Sequence, residues 1–139
     1  WWRVQASYSH VRIKGLYTGD PIGDAMLQNL EGSTARHQLM LNNHWRLAAD
    51  WSVNAAWRYQ SQTTFYALSV LSSPFEPIVV SGYSSLDARL AWKYNRQTEL
   101  SITGRNLLKN RHTEFISSMP YTQAFDVWRS VLLQAVVRF

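Results

Sequence analysis

The last eleven residues of the chain alternate between apolar and polar side chains. One register carries only apolar side chains, those of Val131, Leu133, Ala135, Val137 and Phe139. The other register includes the polar side chains of Ser130, Gln134 and Arg138. Because successive side chains of a strand point to opposite faces of a sheet, this period of two predicts a strand with one apolar and one polar face. Such a strand suits a half-buried soluble sheet or a wall between lipid and a wet lumen.

Five further segments show the same alternation. With the tail, the predicted strands cover residues 2–13, 37–45, 51–60, 84–94, 98–106 and 129–139. The pattern is clearest in the third segment, where Trp51, Val53 and Ala55 oppose Ser52 and Asn54. The sequence therefore predicts an all-β chain of six strands.

The connections between these strands alternate between short and long. Residues 46–50 and 95–97 form the short ones, and residues 14–36, 61–83 and 107–127 form the long ones. Three long structureless loops are unusual in a compact soluble domain. Outer-membrane barrels, in contrast, have short periplasmic turns and long extracellular loops. The pattern predicts an antiparallel transmembrane β-barrel segment whose C-terminus lies on the periplasmic side.

Large aromatic side chains mark the ends of the predicted strands. On the apolar register, those at the short-turn ends are Trp2, Trp45, Trp51, Trp92 and Phe139. Those that mark the opposite ends are Tyr8, Trp57, Tyr59 and Trp128. Two aromatic belts around an aliphatic band are typical of a barrel at its two membrane interfaces. A soluble sandwich has no reason to separate its aromatic residues in this way.

Composition excludes several other classes of protein. The mean hydropathy is −0.27, and no run approaches the roughly 18 apolar residues of a membrane helix. The chain has no cysteine, so neither a disulfide framework nor a thiolate metal site is predicted. Its 14 Lys and Arg residues give a net charge of +5, but they form no basic run, which argues against nucleic-acid binding.

Four segments resemble the C-terminal part of TonB-dependent outer-membrane receptors, and the resemblance covers nearly the whole chain. The segments are residues 2–9, 35–39, 85–92 and 99–108. The most specific is the last, in which Asn106-Leu107 ends the penultimate strand and the aromatic Phe115 follows a few residues later. The family usually has an acidic residue soon after the Asn-Leu pair, where this chain has Lys109-Asn110. That departure leaves the subfamily open.

The resemblance implies that residues 1–139 are the C-terminal part of a barrel of about 22 strands plugged by an N-terminal domain. Six strands are too few to close by themselves. The signal peptide, the plug and the TonB box are expected to precede residue 1. The implied function is uptake of a scarce nutrient, such as an iron-siderophore, into a Gram-negative cell. The implied partners are outer-membrane lipid, the plug domain, the TonB complex, the barrel assembly machinery and a small-molecule ligand.

Three alternatives stay open at this point. The chain could belong to a passive porin or to an outer-membrane barrel enzyme, or it could be a soluble β-sandwich binding module. The enzyme is disfavoured because no Gly-x-Ser-x-Gly nucleophile motif occurs. His10, His37, His44 and His112 show no ligand spacing, so they are predicted to be solvated and no metal, cofactor or catalytic residue is assigned.

Three sets of residues are candidates for function. Aromatic residues of the long loops are predicted ligand contacts: Tyr17, Phe65, Tyr66, Phe75, Phe115, Tyr121 and Phe125. Charged residues of the polar register either form neutralising cross-strand pairs, or hold carboxylates of the plug or guide an anionic ligand: Arg58, Asp87, Arg89, Arg105 and Arg138. The resemblance implies that the assembly machinery reads the final strand through Val131, Leu133, Ala135, Val137 and Phe139.

Overall fold

The computed structural model describes residues 1–66, 77–116 and 124–139. Its elements in chain order are β1 (Trp2–His10), α1 (Pro21–Ser33), β2 (His37–Arg46), β3 (Trp51–Gln60), β4 (Thr63–Tyr66), β5 (Pro77–Val80), β6 (Tyr83–Lys93), β7 (Thr98–Arg105), β8 (Arg111–Phe115), β9 (Phe125–Trp128) and β10 (Ser130–Val137).

Six of the strands form one antiparallel sheet in the order β1-β2-β3-β6-β7-β10. These are the six strands that the alternation predicts, so the fold class is confirmed. Their ends differ in places from the prediction. β1 ends at His10 and not at residue 13, and β10 ends at Val137, which leaves Arg138 and Phe139 beyond the strand.

The strand register aligns residues of like polarity across the whole sheet. One row, on the face that we call the apolar face, runs from β1 to β10 through Trp2, Trp45, Val53, Leu90, Ile102 and Leu133. The neighbouring row, on the polar face, runs through Arg3, His44, Asn54, Arg89, Thr103 and Leu132. A slip of one residue would exchange the two faces, so the amphipathic pattern fixes the register.

No second sheet covers the apolar face within the described residues. Its side chains are exposed, with Leu133 at 75% and Val131 at 64%. Between β3, β6, β7 and β10 this face forms an open apolar groove of about 510 Å³. A soluble β-sandwich would bury one face of the sheet under a partner sheet. That arrangement does not occur here, and the sandwich alternative is therefore wrong for the described part of the chain.

Two short turns close one end of the sheet, which we call the turn end. In the first, the backbone N–H of Leu47 donates to the Trp51 carbonyl at 3.0 Å. In the second, the side-chain oxygen of Asn95 accepts from the backbone N–H groups of Gln97 and Thr98 at 2.8 and 2.7 Å. An Asn side chain that bonds its own following backbone stabilises a tight turn. The predicted short connections are thus present.

The long connections lie at the opposite end, the loop end, and they are not plain loops as predicted. The first contains α1, whose N-cap is Asp20, with the Asp20 carboxylate accepting from the Gly23 N–H at 2.8 Å. Pro21 occupies the first helical turn, where its missing N–H costs no hydrogen bond. The second contains the hairpin β4–β5, and the third contains the hairpin β8–β9. The loop end therefore carries ordered structure of its own.

Candidate functional site

Helix α1 packs against the strand β4 at the loop end. The Asn29 side-chain oxygen accepts from the Tyr66 N–H at 3.2 Å. A Cβ atom added to Gly32 would lie 2.5 Å from the Thr64 carbonyl oxygen, so a side chain there would separate helix from strand. Within the first long connection, the Glu31 carboxylate also accepts a hydrogen bond from the Gly15 N–H at 2.6 Å. Two connections that are separate in sequence thus form one structural unit.

The structure arranges the predicted ligand-contact aromatics in two groups. Phe65 and Tyr66 lie on β4, which contacts α1, while Phe115 and Phe125 stack on the hairpin β8–β9 with ring centroids 4.5 Å apart. Tyr17 belongs with the first group. Loss of solvent contact raises the pKa of Tyr17, and a hydrogen bond from its hydroxyl to Glu31 raises it further.

Two other predicted ligand contacts, Phe75 and Tyr121, lie outside the described residues. Phe115 and Phe125 are 45% and 56% exposed, so the stacked pair presents much of its surface to solvent. The aromatic set as a whole stays a prediction.

The polar face carries the cross-strand pairs that the sequence predicts. The Arg58 guanidinium lies 3.0 Å from the Asp87 carboxylate, and that of Arg89 lies 2.8 Å from Glu99. Arg89 also donates to the Ser101 hydroxyl at 3.2 Å. Both ion pairs join neighbouring strands and are partly exposed, so each contributes little to stability. Their effect is to balance charge on this face.

Arg105 and Arg138 remain exposed at opposite ends of the sheet. Arg138 lies beyond β10, where only its backbone N–H is fixed, by a bond to the Gln97 carbonyl at 2.9 Å. Contact between this set of charged residues and a plug domain stays a prediction.

A buried polar cluster at the loop end centres on Asn106, which follows β7. Asn106 is 1% exposed and has a φ of 51°, in the left-handed region that non-glycine residues seldom adopt. Its backbone N–H donates to Asp87 at 2.9 Å, and its side-chain amide donates to the Val127 carbonyl at 2.9 Å. The residue therefore connects β7 to β6 and to β9.

His112 completes this cluster, and its placement corrects the prediction of a solvated side chain. It is 7% exposed, because Tyr83 stacks on its ring with centroids 4.1 Å apart. Its Nδ1 lies 3.0 Å from the Asn106 side-chain oxygen, and its Nε2 lies 3.3 Å from the Glu114 carboxylate. Both partners present acceptor oxygens to the ring. We call Tyr83, Asn106, His112 and Glu114 the loop-end cluster.

Sequence reasoning identified Asn106 as part of a family motif but assigned the loop-end cluster no role. The other histidines lie elsewhere. His10 and His37 are cross-strand neighbours with ring centroids 4.9 Å apart, although the sequence shows no spacing that pairs them. His44 bonds Asn54 at 2.6 Å. Among the described residues no group of three or more His, Cys, Asp or Glu side chains could hold a metal ion.

The aromatic residues predicted for the membrane interfaces lie toward both ends of the sheet. At the turn end, Trp51 and Trp92 stack with centroids 5.6 Å apart. Tyr59, eight residues along β3, lies about 27 Å away at about 3.4 Å per residue, which is close to the height of a barrel's apolar band. Trp128 is on β9 and outside the main sheet, where the Arg111 guanidinium lies 5.5 Å from its ring centroid. Contact with lipid stays a prediction.

Comparison with known proteins identifies the fold. No family model and no curated protein sequence matches the chain. The closed form of the ferric-catecholate import receptor Fiu of E. coli K12 matches 99% of this chain with a TM-score of 0.73 and 22% identity, over 19% of its own length. The open form of Fiu matches 76% of the chain with 25% identity and a TM-score of 0.63, over 16% of its length.

A second receptor matches equally well in structure. The ferripyoverdine receptor of the outer membrane of Pseudomonas aeruginosa, bound to ferripyoverdine, matches 98% of the chain at 17% identity with a TM-score of 0.75, over 17% of its length. The chain thus spans less than one fifth of the receptors it matches.

These matches define the chain as a stretch of antiparallel β-barrel wall. The barrels concerned are those of TonB-dependent receptors, and at the level of the fold the resemblance found in the sequence is confirmed. In the described part of the chain, no helix is both long and apolar enough to cross a bilayer.

Proposed function

We propose that the chain is the C-terminal barrel wall of an outer-membrane receptor that takes up a ferric siderophore with energy supplied through TonB. The observation that carries the proposal is the match of 98–99% of the chain to two receptors named for ferric complexes. The uncovered apolar face supports it, because that face has the alternating pattern of a lipid-exposed barrel wall. In this orientation the turn end is periplasmic and the loop end extracellular.

The proposal gives each face of the sheet a partner. Outer-membrane lipid contacts the apolar face and fills its groove, while the polar face encloses the lumen and meets the plug domain. The barrel assembly machinery adds the final strand, in the manner of edge-to-edge strand addition. The ligand enters at the loop end, where α1 and the hairpins β4–β5 and β8–β9 surround it.

Uptake measurements test this function. A strain that lacks the full-length receptor gene should lose accumulation of iron from one class of ferric siderophore, and the intact gene should restore it. Restoration should require TonB. Equal accumulation with and without TonB would indicate a passive porin instead, and unchanged accumulation in the deletion strain would contradict a transport role for that siderophore.

Removal of the second long connection tests the role of the loop end. Deletion of residues 64–78 from the full-length receptor should abolish uptake, because it removes β4, part of β5 and the partner of α1. The barrel should stay folded, which the heat-dependent gel shift of outer-membrane barrels reports. Normal uptake by a folded deletion variant would exclude this connection from the ligand site.

A further inference from the structure

The polar face has an open pocket of about 390 Å³ near its loop end. It lies across β1, β2, β3 and β6, and the hairpin strand β8 contributes one residue. Its described lining includes the polar side chains of Ser7, Ser9, Gln38, Arg58, Gln60, Tyr83 and Glu114, together with Tyr8, Leu39, Met40 and Tyr59. Hydroxyl and amide groups predominate, and these both donate and accept hydrogen bonds.

Charge in this pocket is balanced. Arg58 is the one cation among the described lining residues, and its guanidinium is held 3.0 Å from Asp87. Glu114 is the one anion in the lining, and His112 lies 3.3 Å from its carboxylate. Arg105 lies on β7 and does not line the pocket. Among the described lining residues, the one cation is therefore already paired and is not free for an anionic ligand.

The Tyr83 hydroxyl is placed to form a hydrogen bond with a ligand. The stacked His112 ring, 4.1 Å away, fixes the plane of its own ring. Its hydroxyl lies 3.5 Å from the Gln60 side-chain oxygen, which is a weak bond. A ligand acceptor placed in the pocket can therefore accept a hydrogen bond from this hydroxyl in place of the Gln60 side chain.

We infer that this pocket binds an uncharged, hydrogen-bonding ferric complex of the tris-hydroxamate class and disfavours a ferric tris-catecholate, which carries three negative charges. The inference rests on the proposed uptake of a ferric siderophore and names its chemical class. Like charges brought together in a binding site oppose association. The Glu114 carboxylate is such a charge for the tris-catecholate, and the lining cation Arg58 is already paired with Asp87. Hydroxamate oxygens and amide linkers match the Ser, Gln and Tyr side chains.

Titration of the purified full-length receptor tests the inference, with quenching of tryptophan fluorescence as the readout and the two iron complexes as probes. The unmodified receptor should bind the ferric tris-hydroxamate at least about tenfold more tightly than the tris-catecholate, a difference of about 1.4 kcal/mol. Tyr83→Phe should weaken tris-hydroxamate binding by about three- to tenfold, since one hydrogen bond is lost. Tyr94→Phe, in the short turn that follows β6 and outside the pocket lining, should leave both affinities unchanged.

A substitution that adds a positive charge to the pocket supplies the second measurement. Gln38→Lys adds a cation to the pocket and should strengthen tris-catecholate binding by about tenfold without strengthening tris-hydroxamate binding. Gln5→Lys is the control, because Gln5 lies on the same polar face as Gln38, on the neighbouring strand β1, but does not line the pocket. Two outcomes would overturn this inference but not the proposed siderophore uptake. They are tighter binding of the tris-catecholate by the unmodified receptor, and equal effects of the two lysine variants. Binding of neither complex would overturn the proposed siderophore uptake as well.

Discussion

Leu133→Arg should lower the free energy of unfolding of the full-length receptor by about 2 kcal/mol, because the proposed function places this side chain on the lipid-facing side of the barrel wall. Leu133 belongs to the apolar row that includes Leu90 and Ile102, and it is 75% exposed in the isolated segment. In the proposed orientation that exposed surface would contact acyl chains, where a guanidinium loses its hydration. The measurement is a denaturant titration of the receptor in liposomes.

The neighbouring leucine provides a matched control. Leu132 is 57% exposed and lies in the polar row with Thr103, so Leu132→Arg places the same charge on the luminal side. We expect Leu132→Arg to lower the free energy of unfolding by well under half as much, since water or polar groups of the plug would solvate the guanidinium there. Equal penalties for the two variants would show that the assignment of the two faces is wrong.

Asn106→Ala should destabilise the folded receptor by about 2–4 kcal/mol. The change leaves the Val127 carbonyl and the His112 Nδ1 without their partners, and each unpaired buried polar group costs about 1–3 kcal/mol. Alanine also tolerates the φ of 51° less well than asparagine. The readout is the midpoint of thermal unfolding in detergent, together with protease cleavage of the hairpin β8–β9.

Asn42→Ala is the control for this second experiment. Asn42 is half-buried on the polar face of β2 and lies outside the loop-end cluster. Its replacement should shift the unfolding midpoint little. If the two alanine variants unfold at the same temperature and are cleaved equally, the loop-end cluster has no stabilising role.

The sheet was predictable because each strand carries its own signal. Alternation is local, and the strands that face two different environments show it without reference to their neighbours. β3 illustrates this, since its predicted and observed bounds agree. Strand ends were less predictable. Residues 11–13 continue the alternation of β1, yet the strand ends at His10. One more backbone bond follows, from the Val11 N–H to the Arg36 carbonyl at 3.0 Å.

Helix α1 also had local signals, but the expectation of plain loops concealed them. Asp20 before Pro21 is an N-cap followed by a residue suited to the first turn. Ile22, Met26 and Leu30 follow at intervals of four residues, which is a helical spacing. These three side chains are 65%, 60% and 52% exposed, so the helix itself offers an apolar stripe at the loop end.

The loop-end cluster had no comparable signal. Its bonds join Asn106 to Asp87, His112 and Val127, which lie on three different strands. Such contacts depend on how the third long connection folds back over the sheet, and a period of two carries no information on that. His112 in particular has no neighbour in sequence that marks it as buried.

The contact between α1 and β4 has a consequence for how such a receptor can change its ligand. Because the Asn29 side chain holds the backbone of Tyr66 and Gly32 lies against Thr64, neither connection keeps its shape when the other is exchanged. Recombination between related genes would have to transfer residues 14–36 and 61–83 together, along with the two strands between them. For the proposed receptor, a change of ligand specificity at the loop end would therefore require exchange of this whole block of sequence and not of a single loop.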